Sequence, residues 1–216
     1  MLMNTVEITG EVEKFVKSFL RDHDGGHDWW HIERVRRMAL KLHEAEGIGD
    51  RMVIELSALL HDVDDKKFTE RDDRVTGNKI RSFLADLDIS QHATEKIVEI
   101  NRKISFSSGE YPGVPSDEFM IVQDADRLDA IGAIGIARAF NYGGYKNNIL
   151  YDPEGRHPCT IGHFYDKLLK LKEMMNTETA RKIADERHEF LECFLDQFYK
   201  EWDDTAISPE KRPSFA

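Results

Sequence analysis

Residues 50–62 read Asp-Arg-Met-Val-Ile-Glu-Leu-Ser-Ala-Leu-Leu-His-Asp, the most apolar helical stretch of the chain. Asp50 is a helix-capping residue type, and the run through Val53, Ile54, Leu56, Ala58, Leu59 and Leu60 predicts a short, strongly apolar helix behind it. Its C-terminal end, His61-Asp62, is densely polar, and polar groups at the end of such a helix are expensive to bury without partners. Ile54, Ala58, His61 and Asp65 follow helical spacing, which turns His61 inward.

Outward from this stretch the same periodicity continues. A helix is expected from near Thr9, with Val12, Phe15, Val16 and Phe19 as its apolar stripe, ending in the turn at 22–26. A second runs from about Asp28 to Glu46, with His31, Val35, Met38, Ala39 and Leu42 inward and Gly47 as its stop. Further helices are expected at 71–87, at 91–105 behind the cap Ser90, from Ser116 to Asn141, at 160–174 and at 177–202. Residues 107–115 and 142–158 read as loops, with Tyr142-Gly143-Gly144 breaking the preceding helix. Trp29 and Trp30 are expected to bury against neighbouring helices, and Gly132 and Gly135 to permit close helix contact. Arg181, Lys182, Asp185, Glu186 and Glu189 make a solvated face. No run alternates in the manner of a strand, so the fold class is all-α, a bundle of roughly eight or more helices.

The 216 residues are taken as a single domain, 1–216, with a core over about 9–202 and a frayed tail from Pro209 to Ala216. Hydrophobic residues make up 40% and charged residues 33%, a globular composition. Thirty basic against 41 acidic residues give a net charge of -11, which removes the unspecific attraction to nucleic acid or anionic membrane that a basic domain has. Cys159 and Cys193 form no CxxC pair, which fits a reducing compartment. Met1–Gly10 lacks the pattern of a secretory leader, and no run approaches the ~18 apolar residues of a membrane span. A cytoplasmic location is expected, with neither a nucleic-acid nor a membrane partner.

Three predicted inward stripes each carry a misplaced polar group: His31, His61, and Asp126 within the series Phe119, Val122, Asp126, Ala130, Ala133 and Ala137. Taken singly, such a histidine reads as a hydrogen-bonded core residue and such an aspartate as an arginine partner. Together with Asp62 they offer two imidazoles and two carboxylates, a borderline donor set for a divalent transition metal.

These residues carry a resemblance. His31, His61-Asp62 and Asp126 match the H…HD…D pattern of the HD-domain metal-dependent phosphohydrolases. The stretches His27-Asp-Trp-Trp-His31-Ile-Glu-Arg34, Leu59-Leu-His-Asp-Val63, Asp124-Ala-Asp-Arg-Leu-Asp-Ala-Ile-Gly132 and His163-Phe-Tyr-Asp-Lys-Leu-Leu169 look like the bacterial YpgQ-like subgroup, over nearly the whole chain. The resemblance implies an all-helical HD fold and metal-dependent hydrolysis of nucleoside triphosphates, deoxy forms included, to monophosphate and pyrophosphate. The alternatives are a 5'-nucleotidase, a hydrolase of guanosine tetraphosphate or cyclic nucleotides, or a non-catalytic nucleotide-sensing module.

Relatives with two metals place extra histidines between the HD pair and the last aspartate; here only His92 lies there, so one metal is expected. Manganese is the expected ion, with iron, cobalt, nickel and zinc compatible with the donors. Asp65 matches the acid three positions after the HD aspartate in several relatives and is the expected general acid/base, although it reads equally as a solvated acid. Phosphate contacts are expected from Lys67 and Arg34. His163 and Lys167 share a face and could also reach a polyphosphate, or be a core histidine and a surface lysine. His27 and Asp28 are expected to orient His31 through its second ring nitrogen. Arg127 and Asp129 flank Asp126, where substrate binding and an ion pair bracing the helix explain them equally well.

Overall fold

The computed structural model describes residues 4–21, 28–63, 78–104 and 115–203. His27, Asp65, Lys67, the helix expected to begin at residue 71, most of the 107–115 loop and the Pro209–Ala216 tail lie wholly or partly outside these residues. The described chain is all-α, as expected, and divides into two compact units, residues 1–126 and 127–216. No helix among the described residues is long and apolar enough to cross a membrane.

The first unit holds α1 (Thr5–Arg21), α2 (Trp29–Glu46), α3 (Arg51–Leu60), α4 (Asn78–Ala85), α5 (Gln91–Lys103) and most of α6 (Asp117–Asp129). Every residue of α3 from Val53 to Leu60 is buried, because α1, α2 and α5 all pack against it. A helix apolar on all sides must be enclosed, and α3 is the centre of this unit. Its one charged interior residue, Glu55, is held by Arg36 at 2.6 and 2.9 Å and by Arg51 at 3.2 Å, so the buried carboxylate is paired.

Local chemistry sets the helix ends. The Asp50 side chain accepts from the N–H groups of Met52 and Val53, at 2.9 and 3.1 Å. Ser90 caps α5 through Ala93 N–H at 3.2 Å, and Gly47, at φ 68°, closes α2 by donating to the His43 carbonyl. Within α2, His31, Ile32, Val35, Ala39 and Leu42 are buried. Phe15 of α1 stacks on Phe83 of α4 with ring centroids 4.0 Å apart. Trp30 departs from expectation: it is 61% exposed, whereas Trp29 turns away from it to lie 4.0 Å beneath the Lys17 ammonium. Adjacent helical residues differ by about 100° in direction, so the two indoles cannot share one buried face.

The second unit holds the end of α6, α7 (Gly132–Tyr145), α8 (Thr160–Asp166), a 3-10 helix (Leu168–Met174) and α9 (Glu178–Asp203). The single helix expected over 116–141 is two helices, with a corner at 130–132. Gly132 has φ +74°, a conformation that ends α6, and Ile131 is extended. The corner also ends the inward series: Phe119 and Val122 are buried, but Ala133 and Ala137 are exposed. A side chain at Gly132 would meet Arg187 of α9 at 3.0 Å, a close helix contact as expected, whereas one at Gly135 would meet the Ala130 carbonyl of the corner itself. At its other end α7 runs through Gly143 and Gly144 rather than breaking there, and buried Gly143 makes room for the Thr160 side chain. The helix expected over 160–174 changes to 3-10 geometry after Asp166. The solvated face of α9 at Arg181, Lys182, Asp185, Glu186 and Glu189 is exposed throughout.

Candidate metal centre

Three helices of the first unit bring four donors together. His31 lies in the first turn of α2, His61 is the residue that ends α3, Asp62 follows it, and Asp126 lies in the last turns of α6. The Nε2 atoms of His31 and His61 are 3.1 Å apart, and each stands 3.5 Å from Asp62 Oδ2. Asp126 Oδ1 is 3.6 Å from His31 Nε2 and 3.8 Å from His61 Nε2. The side chains of His31, His61 and Asp62 are 1%, 2% and 7% exposed, whereas Asp126 is 35% exposed. The cluster is therefore closed on the His31, His61 and Asp62 side and open at Asp126.

The orientation of His61 follows from its second nitrogen. Its Nδ1 is 2.8 Å from the Ala58 carbonyl, which can only accept, so Nδ1 carries the proton and Nε2 presents a lone pair to the cluster. Asp28 supports His31 through the main chain and not, as expected, through the imidazole: it caps α2, and its Oδ1 accepts from the His31 backbone N–H at 2.8 Å.

The donors fit a divalent transition cation. Bonds of about 2.0–2.2 Å to nitrogen and oxygen bring neighbouring donor atoms to roughly 3.0–3.5 Å of one another in octahedral or tetrahedral arrangements. The separations of 3.1–3.8 Å are close to this range, and among the described residues His31, His61 and Asp62 converge tightly enough by themselves to hold an ion. Two imidazoles with two carboxylates suit manganese, iron, cobalt, nickel or zinc and do not select among them.

Other expected site residues fall in different settings. Arg34 is half-buried one turn along α2 from His31. Asp129 is buried and paired with Arg138 at 2.8 Å, and Arg127 donates to the Met174 carbonyl, so both make the bracing contacts of a helix end. His163 is half-buried on α8 with Lys167 one turn on; burial first, and then the Lys167 ammonium, hold its imidazole below the usual value.

Several participants carry no readable signal in the sequence. Glu118 is buried, with its carboxylate 3.0 Å from Lys96 and accepting from the Asp50 N–H at 3.2 Å, which ties the start of α6 to the start of α3. Asp124, two residues before Asp126, is fully buried. Arg187 of α9 donates to the Leu128 carbonyl in the last turn of α6.

Comparison with known proteins agrees with this architecture. The HD domain family matches residues 29–131. YpgQ of Bacillus subtilis is 38% identical over 201 residues, spanning 92% of this chain and 96% of its own. The crystal structure of YpgQ in complex with ADP superposes with a TM-score of 0.74, covering 89% of this chain and 97% of that one at 38% identity. An HD-superfamily hydrolase from Bacillus thuringiensis superposes with a TM-score of 0.76 at 42% identity, covering 93% and 99%.

Proposed function

The chain belongs to the HD-domain family and is a hydrolase of that superfamily, and on that premise we propose that it converts a nucleoside triphosphate, deoxy forms included, to the monophosphate and pyrophosphate. The observation that carries the reading is the convergence of His31, His61 and Asp62 at 3.1–3.5 Å, with Asp126 3.6 and 3.8 Å from the two imidazoles and the most open of the four to solvent. The ADP bound to YpgQ supports a nucleotide as the substrate. A net charge of -11 argues against a long polyanion, so a small nucleotide is the proposed partner rather than nucleic acid.

His31, His61, Asp62 and Asp126 would hold one divalent cation, manganese by preference. Such an ion supplies Lewis-acid polarisation of a phosphoryl oxygen and lowers the pKa of water to near neutrality. Water attacks the α-phosphorus, and the bridging oxygen leaves with pyrophosphate. Asp65 takes the proton from the attacking water. Arg34 and Lys67 offset the phosphate charge, and the Ala58 carbonyl keeps the His61 proton away from the donors. We also take residues 1–216 as one cooperative domain of a cytoplasmic protein, because α6 runs without interruption across residue 126; thermal unfolding is then a single transition.

The test is direct. Purified protein with Mn²⁺ should release pyrophosphate from at least one deoxynucleoside triphosphate, and Asp126→Ala should lose both turnover and bound metal. Release of inorganic phosphate alone would reassign the enzyme as a phosphatase that removes a terminal phosphate. Metal-loaded protein that turned over no phosphate compound would overturn the catalytic reading.

A further inference from the structure

The two tryptophans at the start of α2 have separate fates. Trp29 is engaged by Lys17 at 4.0 Å, whereas Trp30 is 61% exposed, the most exposed aromatic side chain among the described residues. Successive residues of a helix advance by about 100°. On that wheel the buried residues Ile32, Val35, Ala39 and Leu42 form one stripe, and His31 lies at its edge. Within the turns that adjoin His31, the residues on its outer side are Arg34 and Trp30, four positions apart, about 60° and 100° around the helix from it. Trp29 points the other way. A cation and an uncovered indole thus flank the histidine of the candidate metal centre on one face.

We infer that Trp30 is the stacking platform for the planar ring of the substrate, whose phosphates reach the cluster of His31, His61, Asp62 and Asp126. The inference rests on the nucleotide reading above and gives it a recognition element. A purine or pyrimidine ring presents a flat π-face to an indole whichever base it is, so a platform of this kind favours nucleotides over ring-free phosphates without selecting one base. Arg34, one turn along the same face, stands between the ring end and the phosphate end. Asp28 fixes the turn that carries Trp30 by capping α2, so the indole is mounted on ordered backbone.

The experiment compares a substrate that has a ring with one that lacks it. Kinetics on a deoxynucleoside triphosphate and on inorganic tripolyphosphate, used as substrate or as competitive inhibitor, are measured for the wild type, Trp30→Leu and Trp30→Phe with Mn²⁺ bound. Trp30→Leu should raise KM for the nucleotide roughly tenfold, the order that base stacking supplies, with kcat unchanged. Trp30→Phe should stay within about threefold of wild type. The KM or inhibition constant of tripolyphosphate should not move in either variant. An equal loss for both compounds would show a disturbed metal centre and overturn the platform, and so would an unchanged nucleotide KM in Trp30→Leu. A wild type that cleaves tripolyphosphate but no nucleotide would overturn the nucleotide reading, and the platform with it.

Discussion

His31 and His61 bring their Nε2 atoms to 3.1 Å of each other from helices that are separate in the chain, and the Ala58 carbonyl fixes which nitrogen of His61 is free to bind. Two imidazole lone pairs repel at that distance unless a proton or a cation lies between them. A cation that binds the folded state alone stabilises it, by about 2.7 kcal/mol when present at 100 times its Kd. For a chain of this size the melting temperature should then rise by roughly 5–10 °C on adding Mn²⁺ and fall back with a chelator. Asp126→Ala should abolish the increment while leaving the metal-free Tm nearly unchanged, since that side chain is a third exposed. Calorimetry with and without metal checks both outcomes.

Asp65 has a separate signature. Asp65→Asn should lower kcat by roughly 100-fold or more, the usual contribution of a positioned acid/base, with bound metal at the wild-type stoichiometry. Elemental analysis beside steady-state rates checks this, and wild-type rates in the variant would remove Asp65 from the mechanism.

Glu118 makes stability depend on acidity. Burial pushes its carboxyl up, but the Lys96 ammonium, its own main-chain N–H, that of Asp50 and the Ser116 side chain outweigh this and hold it below the ordinary value of 4.5. A carboxyl depressed in the folded state adds stability above its unfolded pKa and loses it as the pH falls through the folded one. Glu118→Gln should therefore lower Tm by roughly 3 °C at neutral pH. The deficit should shrink steadily below about pH 4.5. A deficit that is the same in acid would show that Glu118 acts by shape and not by charge.

Gly132 and Gly155 share a left-handed backbone, at φ +74° and +65°, but not the same surroundings. An added methyl group at Gly155 meets nothing within 4 Å, so Gly155→Ala should cost only the backbone strain, about 1 kcal/mol. At Gly132 the methyl group also meets Arg187 at 3.0 Å, and Gly132→Ala should cost about 2 kcal/mol or more by chemical denaturation.

What the sequence discloses follows the range of the forces involved. The ends of α2 and α3 are legible because Gly47 and Asp50 act on backbone groups within a few residues. His31, His61 and Asp126 are legible because a polar residue on an apolar stripe contradicts its neighbours. Glu55 and Glu118 look in sequence like solvated acids; their partners Arg36 and Lys96 come from other helices. The corner at 130–132 was hidden for the same reason. A glycine in a helical pattern is tolerated locally, and it is the left-handed φ at Gly132 together with the approach of Arg187 from α9 that shows why a glycine is needed there.

The last turn of α6 also bears on how small a functional fragment can be. The HD match ends at residue 131, yet the helix bearing Asp126 is secured just beyond it by Arg187 on the Leu128 carbonyl, Arg138 on Asp129 and the Met174 carbonyl on Arg127. A fragment cut at that boundary keeps all four donors and discards three clasps on the residues that follow Asp126. Transplanting the proposed centre into another scaffold therefore means carrying over the grip on a helix end as well as the four donors.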